Sequence, residues 1–152
     1  MEDLRIRAAV AADIDAVLAF WAAAAEGTSI SDDRAGVARL VERDPEALLL
    51  AERVGATAEG PGGAEAELVG TVIAGFDGWR CHLYRLAVHP GHRRRGIGGA
   101  LLAAAEERFV RLGGRRADAM VLDRNALGET AWRAAAYGPQ DQWTRWVKPL
   151  AG

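Results

Sequence analysis

The stretch HPGHRRRGIGGALLAAAEERF, residues 89–109, sets three consecutive arginines and a run of glycines directly before an apolar segment with helical spacing. A helix start leaves several backbone N–H groups without partners and carries partial positive charge, so it is a natural seat for phosphate. Gly96 and Gly98 suit that use, because without a side chain they let the backbone approach a bulky anion and adopt positive φ. Arg93, Arg94 and Arg95 add charge-assisted contacts, some of them bidentate. The combination reads as a pyrophosphate site.

The arginines are a local device. The chain of 152 residues is half apolar and carries a formal net charge of −2, which argues against a general nucleic-acid binder, since that class shows a basic balance over the whole domain. Its length suits one domain, residues 1–152, with a core that needs no disulfides. Cys81 is the only cysteine, so no intramolecular disulfide is expected and no metal site is indicated. The N-terminus lacks a basic region followed by an apolar core, and the apolar run Ala16 to Ala25 is too short to cross a bilayer. A cytoplasmic location, with neither membrane nor nucleic acid as partner, is the expectation.

Around the opening stretch, periodicity organises the rest. Leu4 to Ala8 reads as a strand, and Asp13 caps a helix with Ile14, Val17, Leu18 and Trp21 at helical spacing, ending near Gly27. A second helix carries Val37, Leu40 and Val41 and closes at Asp44-Pro45. Leu48 to Arg53 and Leu68 to Phe76 read as strands joined by a mobile loop, Gly55 to Ala66. Leu83 to Val88 is a strand, Gly96 to Leu112 a helix stopped by Gly113-Gly114, and Ala117 to Leu122 a strand. Asn125 to Tyr137 is helical and Trp143 to Lys148 a closing strand. The order β-α-α-β-β-β-α-β-α-β predicts an α/β fold: a mostly antiparallel central sheet flanked by helices, with one late parallel crossover.

Other phosphate motifs fit the glycine turn less well. A Walker loop needs Gly-Lys-Ser/Thr, whereas Gly98 runs into Gly99-Ala100-Leu101. A dinucleotide fingerprint needs a third glycine where Leu101 stands and no long insertion after the strand, although Asp118 sits at a suitable distance for a ribose. A solvated arginine turn at a helix start is the plain alternative. The whole spacing speaks against it: a strand, Val88-x-Pro90, Arg93-x-x-Gly96-x-Gly98, then an apolar helix.

That pattern resembles the acyl-coenzyme A signature of the GNAT superfamily of N-acyltransferases, and the similarity in element order covers almost the whole chain. The resemblance implies a GNAT-like fold and an acetyltransferase that moves an acetyl group from acetyl-CoA to a primary amine by direct attack in a ternary complex, with no metal. It implies that backbone N–H groups of Arg93, Arg94, Arg95, Gly96, Ile97 and Gly98 hold the pyrophosphate. It also implies that Leu86, Ala87 and Val88 pair with the pantetheine arm and polarise the thioester carbonyl. Preorganised donors aimed at a developing oxyanion are what such a reaction requires. Cys81 is an acyl-carrying candidate only in principle, because a lone cysteine on a strand is ordinarily a small core residue.

An attacking ammonium must first lose a proton. Counting back from Val88 with period two places Leu86, Tyr84 and His82 on one face, and His82 and Tyr84 are the catalytic candidates. Imidazoles ordinarily titrate at about pH 6.5, which suits the residue type to base work. The competing reading makes His82 a polar residue at a strand start. His89 and His92 are expected to face solvent or phosphate. Residues 125–143 resemble the family's Asn-x-x-Ala-x-x-Phe-Tyr motif, with Asn125 matching and Trp132 standing where the tyrosine that protonates the leaving thiolate is expected. Indole is too weak an acid for that role, so Trp132 fills space against the coenzyme or the core. This departure keeps open a catalytically silent acyl-CoA-binding module. For the acceptor, small molecule or protein amine, Trp21, Glu26, Asp32, Asp33, Trp143, Arg145 and Trp146 are the candidates, the acids drawing a cation and the tryptophans stacking on it. The chain is expected as monomer or homodimer.

Overall fold

The computed structural model describes residues 3–25, 30–54, 66–93, 95–121 and 126–150. Arg94, Glu26, Asn125 and most of the expected Gly55–Ala66 loop lie outside these residues. In chain order the elements are β1 (Asp3–Ala8), α1 (Ile14–Ala24), α2 (Arg34–Arg43), β2 (Leu48–Val54), β3 (Ala66–Phe76), β4 (Cys81–Val88), α3 (Ile97–Arg111), β5 (Ala117–Ala119) and α4 (Ala126–Ala134). The five strands form one sheet in sequence order, antiparallel except for the parallel pair β4 and β5. The predicted fold class holds.

Alternation along the strands divides the core between the two faces of the sheet. Leu48 and Leu50 turn toward α1 and α2, where Ile14, Val17, Phe20, Trp21 and Val37 cover them. Ala51, Val72, Ala74, Cys81 and Leu83 turn the other way, under Ile97, Leu101, Leu102, Ala105 and Phe109 of α3 and Trp132 of α4. The α3 residues recur at helical spacing, and each fully buried leucine or valine contributes roughly 1.5–3 kcal/mol. Gly70 lets α3 sit close to β3: a Cβ there would lie 2.9 Å from Leu101 Cδ1 and 3.0 Å from Ile97 Cγ2. The start of α3 is thereby pressed against the middle of the sheet.

Helix ends follow their local chemistry. Asp33 caps α2 by accepting from the Gly36 N–H at 2.7 Å. Asp13 precedes α1, but its carboxylate accepts from the Val10 N–H and from Arg7. After α3, Gly113 takes φ +89° and the Gly114 N–H donates to Phe109 C=O at 2.7 Å.

Several elements differ from expectation. Helix α1 ends at Ala24, β5 at Ala119 and α4 at Ala134, each short of the expected end, and the expected closing strand Trp143–Lys148 is absent, residues 137–150 carrying no helix or strand. Trp143, Trp146 and Val147 are exposed instead. Strand propensity expresses fit to a pleated, half-buried surface, and this segment has no such surface beside it among the described residues.

Candidate active site

Strand β4 is irregular where the site forms. Thr71 pairs with Ala87 and Ile73 with Tyr84, so Arg85 and Leu86 together oppose Val72 alone, a β-bulge. Arg85 has φ +54°, a left-handed conformation uncommon for a side chain of its size. A buried relay holds it. The Trp21 indole N–H donates to the Thr71 hydroxyl at 2.9 Å, and that hydroxyl donates to the Arg85 carbonyl at 2.8 Å. The Arg85 guanidinium pairs with Asp32 and lies 5.7 Å from the centre of the Trp21 ring.

The bulge changes which side chains share a face. Cys81 and Leu83 lie on the α3 side before it, and Leu86 and Val88 pack there after it. His82 and Tyr84 point to the α2 side, where Ala87 also packs. The expectation that Leu86 shares a face with His82 and Tyr84 is therefore incorrect, because the extra residue shifts the alternation by one.

Beyond the bulge the sheet opens. Parallel pairing of β4 with β5 covers only Cys81–Leu83 against Ala117–Ala119, while β4 continues to Val88. Among the described residues, Tyr84–Val88 pair with β3 on one edge and with no strand on the other. At the top of this opening α3 begins. Gly96 is its N-cap with φ +78°, and no side chain caps the helix. The first helical bond runs from the Ala100 N–H to the Gly96 carbonyl, so the N–H groups of residues 97–99 have no helical acceptor. A Cβ on Gly96 or Gly99 would meet nothing within 4 Å, and one on Gly98 would lie 3.7 Å from Val88 Cγ2. Arg93 and Arg95 are exposed beside it, the Arg93 Nε reaching the Val88 carbonyl at 3.4 Å. The structure thus brings Leu86–Val88 and the glycine turn together along one edge.

At the base of the opening, on the α2 side, His82 Nε2 lies 3.2 Å from Asp77 Oδ2. The other oxygen of Asp77 accepts the Trp79 and Arg80 N–H groups at 2.8 and 2.6 Å, which closes the β3–β4 hairpin. Those backbone bonds, with His82 adding to them, hold the Asp77 carboxyl below its ordinary pKa. An ionised Asp77 only accepts, so the shared proton sits on His82 Nε2, and in the neutral ring the lone pair is then on Nδ1. Sequence reasoning missed Asp77, although Asp-Gly at 77–78 marks a turn and the hairpin brings residue 82 back beside it. Tyr84 stacks near His82 with ring centres 6.1 Å apart. Burial raises its phenol above the ordinary value, opposed by Arg145 and helped by Asp77, so Tyr84 stays a neutral donor. His82, Tyr84 and α2 residues line a cleft of about 400 Å³.

The remaining candidates separate. Trp132 is buried in the α3-side core, edge-on to Tyr137 at 5.1 Å. The Tyr137 hydroxyl donates to Glu106 at 2.8 Å, and burial together with that bond pushes its phenol far above the ordinary value. His92 departs from expectation: it is buried, with Nδ1 2.9 Å from Arg53 and Nε2 3.3 Å from Glu67. His89 faces its own turn, accepting from the Gly91 N–H at 3.0 Å. Trp21 and Asp32 are committed to the bulge and Asp33 to the α2 cap, so none of the three is free to meet an acceptor.

The fold recurs in known proteins. The Acetyltransferase (GNAT) family pattern matches residues 21–128. An acetyltransferase of Pectobacterium atrosepticum is 31% identical over 113 residues, covering 74% of this chain and 72% of that protein. An acetyltransferase of Sodalis glossinidius is 29% identical over 129 residues, covering 85% of this chain and 83% of its own. The solved structure of AAC(6')-Iy in complex with the bisubstrate analogue CoA-S-monomethyl-acetylneamine superposes with a TM-score of 0.70 at 14% identity, over 97% of this chain and 99% of that one. With the family pattern matching residues 21–128 and acetyltransferase relatives at about 30% identity over most of the chain, the protein is an acyltransferase enzyme that belongs to the GNAT acetyltransferase family.

Proposed function

We propose that the protein transfers an acetyl group from acetyl-CoA to a primary amine by direct attack, with both substrates bound together. The stretch of β4 that has no second strand partner among the described residues, beside the start of α3, carries the reading. The residues present fit the coenzyme. Free N–H groups at residues 97–99, a left-handed Gly96, open space at Gly99 and flanking Arg93 and Arg95 form a cradle for a pyrophosphate. The β4 edge at Leu86–Val88, without a strand partner among the described residues, offers backbone groups to an extended amide-bearing arm. When bound, acetyl-CoA supplies the thioester that the amine attacks.

The chain's own residues supply position and proton handling. His82 Nδ1 takes a proton from the incoming amine, and Asp77 fixes the tautomer and stabilises the imidazolium that results. Tyr84, as a neutral phenol, donates a hydrogen bond beside it. Trp132 packs as a core aromatic and gives up no proton in the reaction.

The test compares His82→Ala with Asp77→Asn. The asparagine amide keeps an oxygen for the Trp79 and Arg80 N–H groups but offers its N–H₂ to His82 Nε2, which places the proton on Nδ1 and removes the base. Both variants are expected to lose at least tenfold in kcat with KM for acetyl-CoA unchanged. Wild-type kcat in both would remove the base from this face of β4.

A further inference from the structure

The cleft beside His82 has a charge that follows from which of its residues are already paired. Arg39 and Arg43 line it from α2, across from His82 and Tyr84. They stand four residues apart, one above the other on the same helix face. Both are at the surface of α2, and among the described residues neither has an acidic partner. The two acids in the lining are engaged. Asp44 accepts from Arg108 Nη2 at 2.5 Å, and Asp77 is held by two backbone N–H groups and His82. Arg145, from the C-terminal segment, is near enough to act on the Tyr84 phenol and adds a third positive charge beside it. Of the acids that would draw a cationic acceptor, Asp32 pairs with Arg85 and Asp33 caps α2.

The geometry points to an acceptor that carries an anionic group, carboxylate or phosphate, together with its amine: the anion on Arg39 and Arg43, the amine toward His82. This rests on the amine-acetylation reading and narrows its substrate class. Two guanidiniums on one helix face match the planar, bidentate demands of carboxylate and phosphate. The same pair repels polyamines and other polycations, so it selects against as well as for.

The experiment measures thiol release from acetyl-CoA by the full chain and by an Arg39→Glu/Arg43→Glu double variant. Acceptors come in matched sets: amino acids against their amides, phosphoethanolamine against ethanolamine, and spermidine as the polycation. Wild type is expected to show at least tenfold higher kcat/KM for the anionic member, the carboxylate and phosphate arms telling which anion is recognised. In the double variant that preference falls to parity or inverts, while the acetyl-CoA Kd by calorimetry stays within twofold. A wild-type preference for neutral or cationic acceptors, or an unchanged preference in the variant, overturns the assignment. If no amine of any charge consumes acetyl-CoA although the coenzyme binds, the acetyl-transfer reading fails separately. The cleft is then judged by calorimetric titration of the same amino acids and phosphoethanolamine: binding lost in the variant supports the anion site, and no binding to wild type overturns it.

Discussion

Thr71→Val isolates the relay that shapes β4. The side chain is fully buried, its hydroxyl accepts from Trp21 Nε1 at 2.9 Å and donates to the Arg85 carbonyl at 2.8 Å, and valine has nearly the same shape. No cavity is made. Two hydrogen bonds worth about 1 kcal/mol each are lost, and a buried indole N–H is left without a partner at a further cost of about 1–2 kcal/mol. The methyl gained offsets part of this, so the expected destabilisation is about 2–3 kcal/mol. For a chain of this length that lowers Tm by roughly 4–12 °C. Thr71→Ser keeps the hydroxyl and loses one methyl, a cost of about 1 kcal/mol. The order of stability is therefore wild type, serine, valine, whereas hydrophobicity alone would put valine first and serine last. Urea unfolding with thermal melts measures it. The chemistry should follow, because Arg85 holds φ +54° only while its carbonyl is anchored, and relaxation there resets the alternation that aims His82 at the cleft. Thr71→Val is expected to lose at least tenfold in kcat/KM. A valine variant as stable and as active as the serine variant would refute the claim that the hydroxyl relay maintains the bulge.

Gly98→Val is expected to leave the fold intact, since its Cβ meets Val88 at ordinary contact distance, and to raise the acetyl-CoA Kd at least tenfold by calorimetry. Gly99→Ala, in open space inside a helix, is expected to stabilise by about 0.5–1 kcal/mol in thermal melts. Trp132→Phe is expected to cost about 1–3 kcal/mol in urea unfolding through the cavity it leaves, while kcat stays within about threefold. Loss of nearly all activity with coenzyme binding intact would place a proton donor on that side. Arg7 hydrogen bonds hold the Asp13 and Glu52 carboxyls below their ordinary values, against the opposing effect of burial. Their stabilisation is complete above an unfolded pKa of about 4 and is lost as pH falls through the lowered folded values, so Tm drops on acidification below about pH 4. Arg7→Met is expected to flatten that acid limb.

What was legible in the sequence is what neighbours in the chain decide. The glycine turn and α3 are written in adjacent residues, because a helix start needs only its own N–H groups and residues without side chains around them. The helices and β1 to β4 follow from periodicity. The bulge is different: Arg85 is held in a glycine-like conformation by Trp21, Asp32 and Thr71, none of them its neighbour, so a period-two count runs through it without warning. His92 reads as exposed for the same reason, since Arg53 and Glu67 bury it from the ends of other strands.

The sign of the acceptor cleft carries this furthest. Glu26, Asp32 and Asp33 cluster in the sequence and invite a cationic substrate. Asp32 is neutralised by an arginine 53 residues away, and Asp33 is spent on its own helix. Arg39 and Arg43, which look like the solvated face of α2, are left without an acidic partner among the described residues. A sequence lists charges of both signs, but recognition depends on those that folding leaves unpaired. Folding pairs acids and bases by topology, so an acidic chain can present a basic cleft.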